Sequence, residues 1–600
     1  MGKVSQAVGR VFQGGAKAFA RYPAAMLSAL VVAVSASILI QQDYPVDEKL
    51  FTNLIIAFGT GIAWGTALSA LAQRLSRSKV LYILLNLFSL LASGGLFYYL
   101  YQMDAAVPVI ISLRIAASAA IAFFVFLLVI SHDAYRSDYG QSSFMVLKSA
   151  LIAQIYTLVI MLGMFFVAFA VQQLLYKEMS ETVFGHIAVW SELVGFAFFL
   201  GYFPQFYSHE DDPQLDVAQK HPAFIEVLFA YIMIPIMAAL TFVVLIWAVQ
   251  TLILGQWQNF NQLTVIISAY LLFGIFLWLM TSHYVQPIAE WFRKLLPIVS
   301  LVFLAFEAYA IYRQINLYGI KSDSYFVSLI WIYALLTMIL MFIRPVSRIR
   351  LSGWLAIILI AVAVLPVIGY RELSVASQTG RLQTVLVKND MLLDNQITPA
   401  SPNISEADKL VITDAVTVLQ QYEDIDNAVW FRDSFGSGRQ FFEVFGFERV
   451  FDNGTPGVIE SRYINLYLPA GYVDISEYHY GVSFSEMNDG RPVSLQSDKG
   501  VYVVTLSGIS YGASNPTVLI TRDGVTVLNQ PISDWLNLLI ARYSGSDPGI
   551  SGPAIFEDMV LKLEQNGVKV MVVFRNIDVT IDSSGHQYIN MFVSGLYLAD

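Results

Sequence analysis

The chain has 600 residues, 56% of them hydrophobic and only 13% charged, with a mean hydropathy of +0.60, whereas soluble globular proteins average about 25% charged residues. This balance excludes a wholly water-soluble protein and an intrinsically disordered one alike. The absence of cysteine excludes disulfides, thiolate zinc sites, iron–sulfur clusters and cysteine nucleophiles. Charge is unevenly spread: residues 1–370 hold 20 Lys+Arg and 17 Asp+Glu, whereas residues 371–600 hold 15 and 28. An apolar, nearly neutral first part therefore precedes an acidic second part. Nucleic acid, whose phosphates need a basic face, is not an expected partner; the lipid bilayer is.

A bilayer core about 30 Å thick takes roughly 20 apolar helical residues. Eleven segments of the first part meet that description, at 22–40, 50–71, 80–101, 107–130, 147–176, 187–203, 223–254, 263–280, 295–311, 325–343 and 354–368. The first has a longer apolar run than a signal peptide and reads as an uncleaved helix. The 187–203 segment is short and contains Glu192; if it is re-entrant, ten spans remain and the tail changes side. Pro235 lies inside the 223–254 segment, where its missing N–H predicts a kink. Residues 284–294, with Trp291 and Phe292 followed by Arg293 and Lys294, read as a separate interfacial helix.

Orientation follows from basic residues in the short loops. With the N-terminus inside, fifteen Lys and Arg fall on the cytoplasmic side and four (Lys49, Lys177, Arg313 and Lys321) on the other. Eleven spans then put the acidic tail outside the cytoplasmic membrane.

The tail opens with a helical connector at 371–394, followed by a domain over 395–600. A helix is predicted at 405–422, with Ser405 as its cap and Asp408 three residues on. The period then changes from helical to alternating. Strands are predicted at 463–468, 478–485, 501–506, 517–521, 525–528, 559–564, 568–574, 577–581 and 588–598. Asp523-Gly524 and Asn566-Gly567 are hairpin turns, because their positions need positive φ. One helix, at 533–543, interrupts the run, with Trp535, Leu536, Leu539 and Ile540 on its apolar side. The expected fold class is thus a polytopic α-helical membrane bundle followed by a soluble α+β domain with a mainly antiparallel sheet.

The basic loop Arg344-Pro-Val-Ser-Arg-Ile-Arg350, the helix end Leu365-Pro-Val-Ile-Gly369 and the segment Ser377-Gln-Thr-Gly-Arg-Leu382 follow one another in the chain. In this order the chain resembles the bacterial membrane family known as domain of unknown function 4153. Gly471-Tyr-Val-Asp-Ile-Ser-Glu-Tyr478 is similar to the lead into a strand of that family's tail. The resemblance covers roughly residue 20 to the C-terminus. It implies a bacterial cytoplasmic-membrane protein with an extracytoplasmic domain, and supplies no reaction, cofactor or catalytic residue.

Few residues carry recognisable chemistry. Gly508-Ile-Ser510-Tyr-Gly512 matches the nucleophile elbow, which needs a strand before it and a helix after it. An extended stretch with Pro516 follows instead, and Asp582 and His586 sit too close together to be separate triad loops, so the segment reads as a glycine-punctuated turn. Ser208-His209-Glu210-Asp211-Asp212 with His221 offers hard and imidazole ligands but no fixed metal spacing; His132-Asp133 is weaker still. No Walker A sequence, H-E-x-x-H or dinucleotide fingerprint is present. No catalytic, metal or cofactor-binding residue is therefore assigned.

The informative residues are the charges inside apolar segments: Arg114, Glu192 and Glu307. A charge at mid-span costs about 2.5–3.5 kcal/mol on insertion scales, so it is expected to face the interior and find a partner. All three lie in the outer part of the bilayer under the predicted orientation. They form a candidate intramembrane charge cluster in which Arg114 contacts Glu192 or Glu307. The leading expectation for function is a non-enzymatic envelope protein coupling the bundle to an outer binding or sensing domain, whose partner is an envelope protein or a small-molecule ligand. A secondary transporter lined by the three charges is the alternative. An envelope-modifying enzyme rests on Ser510 alone.

Overall fold

A computed structural model of the chain describes residues 15–41, 47–75, 78–103, 107–131, 137–177, 179–203, 213–254, 260–343, 349–401, 403–422, 429–435, 441–447, 449–450, 462–469, 471–484, 490–509, 516–543, 549–581 and 587–600. The chain forms two compact units, Met1–Gln378 and Thr379–Asp600. Their classes are the expected ones, a multi-pass helical bundle and an α+β domain.

In the first unit residues 15–21 are helical (α1). They lead into α2 (Pro23–Ile40), α3 (Glu48–Leu75), α4 (Lys79–Tyr101), α5 (Val109–Ile130), α6 (Tyr139–Leu174), α7 (Thr182–Gly201) and the short α8 (Pro213–Gln219). Then come α9 (Ala223–Val227), a π-helical turn (Leu228–Met233), α10 (Ile234–Leu254), α11 (Phe260–Met280), α12 (Pro287–Tyr318), α13 (Ser322–Ile343), α14 (Arg350–Ala363) and α15 (Tyr370–Lys388). Among the described residues, ten helices are long and apolar enough to cross a membrane.

The short element is not the 187–203 segment, since α7 runs 20 residues. It is α14, whose 14 residues span about 21 Å at 1.5 Å per residue, short of a roughly 30 Å core. The expected interfacial helix at 284–294 is not separate either. Pro287 starts α12 at a position whose N–H needs no partner, and the helix continues through Pro297 to Tyr318. Near Pro235 the irregularity takes the form of the π-helical turn just before it, which accommodates a proline that cannot donate to the preceding turn.

Small residues set the closest helix approaches. Ala57, Gly61, Gly65 and Ser69 recur every four residues on one face of α3, all buried. A Cβ on Gly65 would stand 2.6 Å from the backbone nitrogen of Ala25 on α2, and one on Gly61 would collide with Ser93 of α4. Asn86 of α4 ties this corner together. Its Oδ1 accepts from the Ser69 hydroxyl at 2.7 Å and from the Ala24 N–H at 3.3 Å, one of the first-turn donors that a helix cannot satisfy itself.

The second unit begins within α15 and turns through Asp394 and Asn395, both at positive φ, which join β1 (Leu392–Leu393) to β2 (Gln396–Ile397). The connector helix therefore stops at Lys388, short of the expected 394, because Asp390 takes the left-handed conformation that ends helices. Next come α16 (Glu406–Leu419), α17 (Val429–Phe435) and α18 (Phe441–Phe445). Ser405 caps α16 as expected, its side chain accepting from the Asp408 N–H.

The strands are β3 (Arg462–Tyr467), β4 (Tyr480–Val482), β5 (Val493–Ser497), β6 (Gly500–Ser507), β7 (Thr517–Arg522) and β8 (Val525–Pro531), then, after α19 (Ser533–Tyr543), β9 (Gly549–Pro553), β10 (Val560–Gln565), β11 (Val568–Ile581) and β12 (Gln587–Ala599). β5-β6-β7-β8 is an antiparallel meander; β4-β12-β11-β3-β9 forms a second sheet, with β10 also paired to β11. Only β3–β9 is parallel among these pairs. The expected strands 568–574 and 577–581 are one strand, β11, with an irregular register at Val573–Asn576. Both sheets and α19 contribute to one apolar core, where Trp535 stacks on Phe574 with ring centroids 5.0 Å apart.

Candidate functional site

The three intramembrane charges take three different partners. Arg114, exposed on the bundle surface, donates from Nε to the Val364 carbonyl at the end of α14, at 3.3 Å. Glu192, exposed on α7, accepts from Gln154 of α6 at 3.2 Å. Glu307 is fully buried on α12, where its Oε1 accepts from the Ser268 hydroxyl of α11 at 2.9 Å. The expected contact of Arg114 with Glu192 or Glu307 is not made; no ion pair among the described residues contains any of the three. The reason is geometric. Sequence fixes depth along a helix, whereas azimuth and neighbour come from packing. The long Arg114 side chain can satisfy itself on a free carbonyl at a helix end.

Glu307 differs in kind from the other two. Its second oxygen, Oε2, is buried without a hydrogen-bond partner. It shares a buried face of α12 with Ser300, Leu304 and Ile311, the 3.6-residue repeat of one helix side. Across from it on α11, Ser268 and Tyr270 are buried, and the Tyr270 hydroxyl lies 3.0 Å from Thr241 of α10. Trp331 of α13 donates to the Leu304 carbonyl at 2.8 Å.

Basic residues gather where α3, α5, α7, α8 and α11 finish. Arg21 donates to the Phe203 carbonyl, Arg74 to Val129, Arg350 to Leu128, and Arg293 to Thr281 and Tyr284. Lys148, nearly fully buried, donates to the carbonyls of Val217 (2.7 Å), Ala218 (3.3 Å) and Lys220 (2.7 Å) at the end of α8. Carbonyls at helix C-termini lack intrahelical partners and carry the negative end of the helix dipole, so they take cations. The sequence marks these residues as loop charges but cannot say that they close helix ends.

Beside them, Asp138 caps α6, accepting from the Gln141 N–H at 2.8 Å and lying 2.8 Å from His283. Burial works against its charge. The contact with His283 and the backbone N–H donors outweigh it and hold the carboxyl below the usual range. Glu226 accepts from Gln286. His221 stacks on Phe144 with centroids 3.7 Å apart, and both of its ring nitrogens are buried without a hydrogen-bond partner. Its expected companions Ser208–Asp212, like His132-Asp133, Ser510, Asp582 and His586, lie outside the described residues.

The connector α15 is the remaining element of functional interest. Its first half is tied within the bundle unit. Gln378 donates to the carbonyls of Tyr318 and Ile320, Ser377 accepts from the Ile320 N–H at 2.8 Å, and Tyr370 stacks on Phe326. Its second half is tied within the α+β unit, through Arg381 to Asp414 at 2.6 Å and Lys388 to Asp408 at 2.9 Å.

No family model, curated protein or solved structure matches the chain.

Proposed function

We propose that this multi-pass membrane protein is a non-enzymatic component of the bacterial cytoplasmic membrane. In this reading its bundle is coupled to an extracytoplasmic α+β domain that binds an envelope protein or a small molecule. The carrying observation is the connector. The boundary between the two units falls inside α15, between Gln378 and Thr379, and the helix is uninterrupted there and anchored within each unit. A helix transmits displacement along its axis, whereas a Gly/Ser-rich linker absorbs it. The fifteen-to-four asymmetry of basic residues supports an inside N-terminus, and the outside tail follows with the short α14 as the eleventh crossing; kinship with domain of unknown function 4153 belongs to the same proposal.

The test is hydrogen exchange on the intact protein in detergent. Gln378→Ala loosens the bundle-side anchor and should lower protection in α16, which holds Asp408 and Asp414. A Gly-Ser insertion between Gln378 and Thr379 should abolish that response. If α16 exchanges identically in wild type and Gln378→Ala, the two units act independently and the coupling reading fails.

A further inference from the structure

Glu307 is fully buried, and one of its oxygens has no hydrogen-bond partner. A bare carboxylate in such surroundings is strongly unfavourable unless a positive charge accompanies it. Among the described residues, the helices packed around Glu307 supply none. The elements most extensively packed against α12 are α10, α11, α13 and the π-helical turn, and not one of them contains Lys, Arg or His; α15, which does, meets α12 at Tyr318, about three turns beyond Glu307. Their titratable groups are Tyr270 on α11, Tyr231 in the π turn, and Asp323, Tyr325 and Tyr333 on α13; none of these brings a positive charge. On α12 itself the basic residue nearest in sequence, Arg313, is exposed. The neutralising charge must come from solution.

We propose that Glu307, with the Ser268 hydroxyl on its other oxygen, is a binding site for one small monovalent cation, a proton or a sodium ion, inside the bundle. The free Oε2 is the position that the cation takes. Ser268 keeps the carboxyl oriented by donating to Oε1, so release and uptake need no rearrangement of that bond. Occupied, the site is neutral and compatible with its burial; emptied, it leaves a charge that destabilises the helix contacts around it. The site is independent of the coupling reading and stands or falls separately from it.

The test uses the full-length protein in detergent. Dicyclohexylcarbodiimide, an apolar electrophile to which protonated carboxyls add, is followed by peptide mass spectrometry over α12. Labelling at Glu307 should fall as pH rises from mildly acidic to mildly alkaline, and Glu307→Gln should remove that adduct. Protection by sodium against a choline control identifies sodium as a competing occupant; insensitivity to sodium identifies the proton alone. Labelling at Glu307 that ignores both pH and sodium overturns the proposal.

Thermal unfolding decides the case if the reagent does not reach the site. The wild type should lose stability relative to Glu307→Gln as pH rises, because glutamine needs no cation, and added sodium should restore the loss if sodium binds. Parallel pH profiles for wild type and Glu307→Gln, with and without sodium, would sink the idea. Ser268→Ala should leave the carboxyl in place yet shift the pH dependence of wild-type unfolding, an effect that a purely structural hydroxyl would not produce.

Discussion

Lys148 shows how much a single buried cation can organise. Its ammonium reaches three carbonyls at the end of α8 from a side chain almost entirely removed from solvent. Hydrogen bonds to charged groups are worth about 1.5–3 kcal/mol each in favourable settings. Lys148→Met keeps the aliphatic stem and strands those acceptors, so it should cost about 2–3 kcal/mol, read as a lower midpoint of thermal unfolding in detergent. Asp408 is the corresponding residue of the second unit. The Lys388 ammonium holds its carboxyl below the usual range, burial opposing and the Ser405 and Asn389 side chains assisting. The folded protein thus binds this proton less tightly than the unfolded chain. The resulting stability is complete above the ordinary Asp value of about 3.9 and is lost as pH falls through the lower folded value. Lys388 is largely exposed, so Asp408→Asn should cost only about 1 kcal/mol at neutral pH. Denaturant titrations of the two proteins should converge on acidification; a gap that persists in acid would show that the pair contributes nothing through its charge.

Among the elements, α3 carries the tightest constraint. Gly65 and Gly94 are both glycines inside apolar helices, yet an added Cβ meets the Ala25 backbone at the first and nothing within 4 Å at the second. Gly65→Ala should cost about 1–3 kcal/mol, as overpacking does. Gly94→Ala should be neutral or slightly stabilising, since alanine favours helix by about 1 kcal/mol over glycine. Paired unfolding measurements check this. Equal effects would mean that helix propensity rather than the α2–α3 approach governs both positions. The hairpins of the second unit obey a different rule. Asp523 and Gly524, and Asn566 and Gly567, all lie at positive φ, so turn chemistry and strand register agree without help from distant residues.

At the scale of the molecule, membrane topology and domain independence are the properties to test. A reporter fused after Ser208 and another after Asp600 should fall on opposite sides of the membrane. Both on one side would mean that α14 does not cross it, because its 14 residues make it the short member of the set. Residues from Thr379 onward, expressed alone, should be soluble and unfold cooperatively, since the two sheets and α19 share one core of their own. Aggregation would show that the core depends on the bundle.

Features set by short-range chemistry are legible in the chain. Apolar runs of span length gave the helices of the bundle, although the separation of 284–294 from the following span was not a real break, since Pro287 and Pro297 are both tolerated in α12. Ser405, Asp523-Gly524, Asn566-Gly567 and the helix Ser533–Tyr543 were legible because a cap, a left-handed turn or an apolar stripe involves only neighbouring residues. The rest depends on contacts between distant parts of the chain. The parallel pairing of β9 with β3 joins residues far apart in the chain, across intervening strands and a helix, and β9, rich in Gly, Ser and Pro, carries no alternating pattern to announce it. The fate of the intramembrane charges was equally hidden. Arg114 meets a carbonyl 250 positions away, and Glu307 meets a serine on the neighbouring helix. Helical period fixes how deep a charge lies and which others share its face, but the rotation of each helix against its neighbours is set by where small residues let backbones approach, and that rotation chooses the partner.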